Sequence, residues 1–255
     1  MGAVVKKISL IGIGSGDPDW VTQAAVKAIE ELDVLFVVIK ENNLDELVDI
    51  RKHILAEHRT TPIKLVELQD PPRPWQTTPD YKKAVATWRA QRLESWSKAV
   101  DENLPDGQVG GFLVWGDPSL YESTLAIVKR MIAASDDDFE LNVIPGISCV
   151  LALAAAFQIP LNRQGKSVSI SPARPLAKGI PDYIDDVVVM LDGKQTFSLI
   201  DPEGFDIYWA AYLGTPDQIL ISGDLATVRD EILATRKAAA ERKGWMFDTY
   251  LLRRR

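Results

Sequence analysis

Three stretches of this chain place glycine within two residues of aspartate or serine where an apolar run ends. They are Ile11-Gly12-Ile13-Gly14-Ser15-Gly16-Asp17-Pro18, Trp115-Gly116-Asp117-Pro118-Ser119-Leu120-Tyr121 and Val143-Ile144-Pro145-Gly146-Ile147-Ser148-Cys149. Glycine at the carboxyl end of a strand leaves main chain uncovered by any Cβ, so another molecule can approach it. Open α/β sheets bind their ligands at that edge. One such junction reads equally well as a tight turn. Three of them, with Asp17 and Asp117 at strand ends, point to a small-molecule site.

Other chemistries fit less well. The Gly12-x-Gly14-x-Gly16 run suggests an NAD-type oxidoreductase, the alternative from a different class. The dinucleotide fingerprint needs its third glycine one residue later and an acidic residue closing the next strand. Here Asp33 precedes the Val34 to Ile39 strand, and Lys40 and Glu41 follow it. No Gly-Lys-Ser/Thr ends a glycine loop, which excludes a P-loop. His53 and His58 diverge around a helix instead of sharing a face, so no metal site is expected. Cys149 has no nearby histidine to activate it and reads as a small core residue.

Bulk properties set the class. The chain has 255 residues, 46% hydrophobic and 25% charged, with a net charge of −7. That is ordinary for a globular protein and argues against nucleic acid as a partner. The single cysteine forbids an internal disulfide. No apolar run approaches the roughly 20 residues that span a bilayer, and the N-terminus enters a strand without a signal-peptide core. A cytoplasmic protein with no membrane partner is expected.

The elements that must position the three junctions follow from periodicity. Strands are expected at Lys7 to Ile13, Val34 to Ile39, Lys64 to Leu68, Gly111 to Trp115 and Glu140 to Ile144. Between them fall helices at about 21–32, 44–58, 80–100 and 124–134. This βαβα rhythm implies a parallel sheet. Asp70-Pro71-Pro72-Arg73-Pro74-Trp75 interrupts it, because proline joins neither a ladder nor a helix interior. Trp75, Trp88 and Trp96 read mostly as packing, with a flat aromatic surface beside Arg73 as the functional reading. A small-residue helix from Ile147 to Phe157 is expected to close a first domain at residue 160. Residues 161–255 then form a second, with strands at Ser167 to Ser171, Val187 to Leu191, Ile207 to Leu213, Gln218 to Ser222 and Trp245 to Leu252, and a helix at Leu225 to Lys243.

At the three junctions, and at Ile159-Pro160-Leu161, Val187-Val188-Val189-Met190-Leu191 and Leu213-Gly214-Thr215-Pro216-Asp217-Gln218, the chain resembles the tetrapyrrole (uroporphyrinogen/precorrin) methylase family. The resemblance covers nearly the whole chain in the family's order. It implies two α/β domains: an N-terminal parallel-sheet domain that faces the tetrapyrrole, and a C-terminal mixed-sheet domain, with the ligand cleft between them in a homodimer. The implied cofactor is S-adenosylmethionine, leaving as S-adenosylhomocysteine. Its contacts carry over to Ser15, Trp115, Gly116, Asp117, Leu120, Ser148, Cys149, Met190, Leu191 and Gly214. Ser15 departs from the family's usual proline. Relatives with an acid/base pair carry an aspartate at the end of the second strand; Val37-Val38-Ile39 stands there, so that role does not transfer.

Asp70-Pro71-Pro72-Arg73, the Trp-bearing helix and Met190-Leu191-Asp192-Gly193 look like the branch of the family that methylates C-1 of precorrin-5 and releases acetate. Another precorrin or uroporphyrinogen methylase is the alternative within the family. Loss of an acetyl group requires an activated water and a polarised acyl carbon, for which Asp17, Asp70 and Tyr121 are candidates. The substrate's many carboxylates call for guanidinium groups. Arg73, Arg163 and Arg174 are nominated, with Lys166 and Lys178 secondary.

Overall fold

Apolar side chains alternating between two faces organise the first half of the chain. The computed structural model describes residues 5–39, 45–71 and 80–255. In it β1 (Lys6–Gly12), β2 (Val34–Ile39), β3 (Lys64–Gln69), β4 (Val109–Val114) and β5 (Phe139–Ile144) form a parallel sheet in the order β3-β2-β4-β1-β5. On one face Ile11, Leu35 and Leu113 pack against α1 (Gln23–Glu30) and Ile54 of α2 (Asp45–His58). On the other, Leu10, Phe36 and Phe112 pack against α3 (Tyr81–Asn103) and α4 (Thr124–Ala134). Burial on both faces explains why β2 reads Val-Leu-Phe-Val-Val-Ile without polar interruption. Because the strands run parallel, the loops after Gly12, Val114 and Ile144 leave from one edge.

The long α3 buries Ala84, Trp88, Arg92, Trp96 and Val100. Steps of four keep these residues on one helix face. Trp96 is fully buried and stacks on Phe112 with ring centroids 5.1 Å apart. Trp88 and Trp96 are therefore core residues, not an open aromatic platform. Trp75 and Arg73 lie outside the described residues.

The second half is built on α5 (Cys149–Ala156), β6 (Val168–Pro172), β7 (Asp186–Met190), β8 (Phe205–Ala211), β9 (Ile219–Asp224), α6 (Leu225–Lys243) and β10 (Asp248–Arg254). Its sheet has the order β6-β7-β10-β8-β9 and is mixed: β6 and β7 are parallel, and the other pairs are antiparallel. The chain divides into compact units at residues 1–147 and 148–255. The boundary expected at 160 thus moves to 147. The helix thought to close the first domain instead packs on β10 and opens the second. Asp186 is fully buried and pairs with Arg163 at 3.1 Å and Arg253 at 3.3 Å. Among the described residues no helix is long and apolar enough to cross a membrane.

Candidate functional site

The glycine junctions of the first unit are clasped to one another through main chain. Gly14 N–H donates to Gly116 O at 3.2 Å, and Gly116 N–H donates back to Gly14 O at 2.7 Å. A Cβ on Gly146 would stand 2.1 Å from Gly116 O and 2.7 Å from the Gly12 carbonyl carbon; one on Gly12 would stand 2.5 Å from Gly146 N. Gly12 and Gly146 are thus required because backbone meets backbone there. The expectation that these glycines admit a ligand is corrected at those two positions. Gly116 differs. Its φ is +68°, and among the described residues nothing lies within 4 Å of where its Cβ would be, so this stretch of main chain is open to an approaching group.

Asp117 ties two of the loops together. Its carboxylate accepts from Ser119 N–H at 2.8 Å, from the Ser119 hydroxyl, and from Gly146 N–H at 3.0 Å. Burial acts to raise its pKa, but the Ser119 hydroxyl and the Ser119 and Gly146 amides outweigh burial and hold it below the usual carboxylate value. A depressed native pKa gives stability that is present above the unfolded value, about 3.9, and is lost as pH falls through the native one. Melting wild type and Asp117→Asn from pH 7 to pH 3 should therefore show a constant gap at the upper end that closes below about pH 4. A gap independent of pH would contradict the depressed carboxylate.

The other residues of this edge have mixed surroundings. Ser15 is 4% exposed, and its hydroxyl has no hydrogen-bond partner among the described residues. Asp17 caps the turn Pro18–Trp20, accepting from Asp19 N–H at 2.9 Å. Trp115 is half-buried, with the Arg51 guanidinium 5.9 Å from its ring. Arg51 also donates to Leu113 O at 3.3 Å. Leu120 is half-buried, whereas Tyr121 is exposed and held at φ 52°.

In the second unit Ser148 and Cys149 start α5. Burial pushes the Cys149 thiol up to about 11, so it is protonated and not a nucleophile at neutral pH. Leu191, just past β7, is exposed at φ 57°, and Tyr212, just past β8, is buried at φ 52°. Left-handed backbone on non-glycine residues costs on the order of 1–3 kcal/mol each and collects at ligand-binding sites. Asp192 anchors the turn after Leu191. It accepts from Lys194 N–H, Thr196 N–H, the Thr196 hydroxyl and the Tyr250 hydroxyl at 3.2, 2.6, 2.9 and 2.7 Å. Gly214 N–H donates to the Gln218 side chain at 3.1 Å.

Of the proton-transfer candidates, Asp70 is 8% exposed and bound by Arg92 at 2.6 Å, away from solvent. Its carboxylate serves that ion pair. Of the nominated cations, Arg163 is committed to Asp186, Lys166 pairs with Asp185, and Arg174 and Lys178 are exposed in a short turn. Sequence reasoning missed Arg92 and Arg51. For Arg92 a signal was present: it stands four residues from both Trp88 and Trp96, on the face they bury.

Comparison with known proteins agrees with this architecture. Residues 7–229 match the family model of tetrapyrrole (corrin/porphyrin) methylases, and the chain belongs to that family of methyl-transferring enzymes. Within it, the chain is 42% identical over 253 residues to the precorrin-6A synthase [deacetylating] of Sinorhizobium sp, covering 99% of this chain and 97% of that one. A crystal structure of a cobalamin synthesis related protein (CobF) from Corynebacterium diphtheriae superposes with TM-score 0.83 at 32% identity, covering 98% of this chain and 99% of the other. The uroporphyrin-III C-methyl transferase of Thermus thermophilus, solved with S-adenyl homocysteine, shares the fold with TM-score 0.62 at 16% identity, covering 96% and 91%.

Proposed function

We propose that this protein is an S-adenosylmethionine-dependent C-methyltransferase of corrin biosynthesis that methylates C-1 of precorrin-5 and releases acetate. The full-length similarity to a deacetylating precorrin-6A synthase carries this reading. Two features of the first unit fit the cofactor: the orphaned Ser15 hydroxyl and the open main chain at Gly116. A phosphate-bearing nucleotide fits less well. Anion cradles need free main-chain N–H groups, and here the amides of Gly14 and Gly116 serve each other while that of Gly146 serves Asp117.

When bound, the cofactor supplies an electrophilic methyl group. Asp117, held ionised by Ser119 and Gly146, presents negative charge beside Gly116 and favours a cationic donor. Ser15 offers its hydroxyl, and Trp115 and Leu120 supply half-buried walls. Ser148, Cys149, Met190, Leu191 and Gly214 are assigned to the same cofactor by family resemblance. Transfer to an electron-rich macrocycle needs orientation and exclusion of water more than covalent help from protein. For loss of acetate, Asp17 and Tyr121 remain the groups proposed to handle protons, and Arg73 and Arg174 those proposed for substrate carboxylates. We also assign a cytoplasmic homodimer from the family resemblance, with light scattering of the purified protein as its check.

A ligand that binds only the native state stabilises it by about 2.7 kcal/mol at a hundredfold excess over Kd. S-adenosylhomocysteine should therefore raise the melting temperature by roughly 5 °C or more, and NAD should not. Incubation with precorrin-5 and isotopically labelled donor should give a methylated product and acetate. A shift with NAD alone, or no methylated product, would overturn the proposal.

A further inference from the structure

Helix α3 carries a charged residue where its spacing asks for an apolar one. Arg92 is 5% exposed, and its guanidinium lies 4.6 Å from the ring centroid of Trp88 and 4.4 Å from that of Trp96. Nε donates to Asp70 Oδ1 at 2.6 Å, and Nη1 donates to Ser123 Oγ at 2.9 Å. Trp88 donates to Pro71 O at 2.9 Å. Well-packed apolar residues of similar volume often replace a buried ion pair without loss of stability. Stability alone therefore does not account for Arg92; what it connects does.

Its two acceptors belong to different segments. Asp70-Pro71 directly follows β3, whereas Ser123 follows the Trp115 loop and precedes α4. Ser123 occupies the capping position of α4 but makes no side-chain cap; its hydroxyl accepts from Arg92 instead. The cap comes from Glu122, which accepts from Ser123 N–H, Thr124 N–H and the Thr124 hydroxyl at 2.7, 2.9 and 2.7 Å. One residue earlier stands Tyr121 at φ 52°, a conformation that persists only where its surroundings fix it. Glu122 and the Arg92–Ser123 bond fix the chain on its C-terminal side.

We propose that Arg92 is a positioning residue. It sets the Tyr121 loop against the Asp70-Pro71 segment after β3, and so aligns the tetrapyrrole without touching it. This rests on the methyltransferase reading of the same edge. A planar fork presents donors to two acceptors in fixed directions, whereas an ammonium on a flexible stem is a point charge with no fixed geometry.

The test measures kcat and KM for precorrin-5, and S-adenosylhomocysteine affinity by calorimetry, in Ser123→Ala, Ser123→Thr and Arg92→Lys. Ser123→Ala leaves the Arg92–Asp70 pair and the Glu122 cap in place, so it is the variant expected to fold like wild type. It should lose at least tenfold in kcat, in keeping with the cost of small misplacements, while its S-adenosylhomocysteine Kd stays within twofold. Ser123→Thr should restore most of the rate, and Arg92→Lys should lose at least as much as Ser123→Ala. Wild-type kcat in Ser123→Ala, failure of threonine to restore it, or a rate loss that merely follows melting temperature and donor affinity would overturn the proposal. If wild type itself neither binds S-adenosylhomocysteine nor transfers methyl, the reading of the edge fails and this proposal falls with it. An active wild type with an indifferent Ser123→Ala sinks the positioning role alone.

Discussion

Gly146→Ala should abolish binding by unfolding the edge of the first sheet, whereas Gly116→Ala should fold and still fail to bind. The two glycines differ in what surrounds them. At Gly146 the added carbon would sit 2.1 Å from Gly116 O, with the Gly12 Cα only 2.9 Å away. These are main-chain atoms, so relief requires the clasped loops to part. A cost of about 4 kcal/mol is expected, at the upper end for a single substitution, with a fall in melting temperature of roughly 10 °C. At Gly116 the new carbon meets no described residue within 4 Å, and what opposes it there is the φ of +68°. That conformation costs about 1–2 kcal/mol for an L residue, but the methyl occupies the opening proposed for the cofactor. Melts and calorimetry with S-adenosylhomocysteine separate the pair. If Gly146→Ala melts like wild type, the clasp is not what holds the edge; if Gly116→Ala binds normally, the opening is not the site.

Asp192→Ala should be the most damaging change in the second unit. Asp192 is 4% exposed, and its carboxylate gathers two main-chain amides and the hydroxyls of Thr196 and Tyr250. Its carbonyl also accepts from Arg236 at 3.0 Å. Burial pushes the Tyr250 phenol far above its ordinary value, and the neighbouring carboxylates of Asp192 and Asp248 reinforce this, so it remains a donor at any working pH. Alanine leaves the Thr196 and Tyr250 donors buried and unpaired, at about 1–3 kcal/mol for each group left unsatisfied and with losses that do not add simply. A total near 4 kcal/mol is expected from denaturant titration, whereas Tyr250→Phe, which removes one bond, should cost about 1 kcal/mol. Comparable losses in the two variants would show that Asp192 is held by the phenol alone.

Much of this was legible in the chain. Uninterrupted apolar runs such as Val34–Ile39, and the helices 124–134 and 225–243, carry their boundaries in pattern and flanking residues. The glycine junctions marked the edge proposed as the site, but not why each glycine is there, because the 2.1 Å conflict at Gly146 arises from contacts between loops remote in sequence. Arg92 was hidden by its type. A charged residue in a buried stripe looks like a break in the stripe until its partners at Asp70 and Ser123 are known. Arg163 shows the opposite limit, since an arginine offers no local sign that a buried Asp186 pairs with it. The domain boundary failed because α5 is apolar all round, and only its packing on β10 decides which unit owns it.

The mutual pairing of Gly14 and Gly116 bears on competition inside a cell. ATP and the dinucleotides share an adenosine portion with the proposed methyl donor, and each adds phosphates. With the Gly14, Gly116 and Gly146 amides already taken and the Asp117 carboxylate beside them, the proposed site would disfavour that addition. On the proposed reading, discrimination against these rival metabolites would come from the main chain itself and need no moving part.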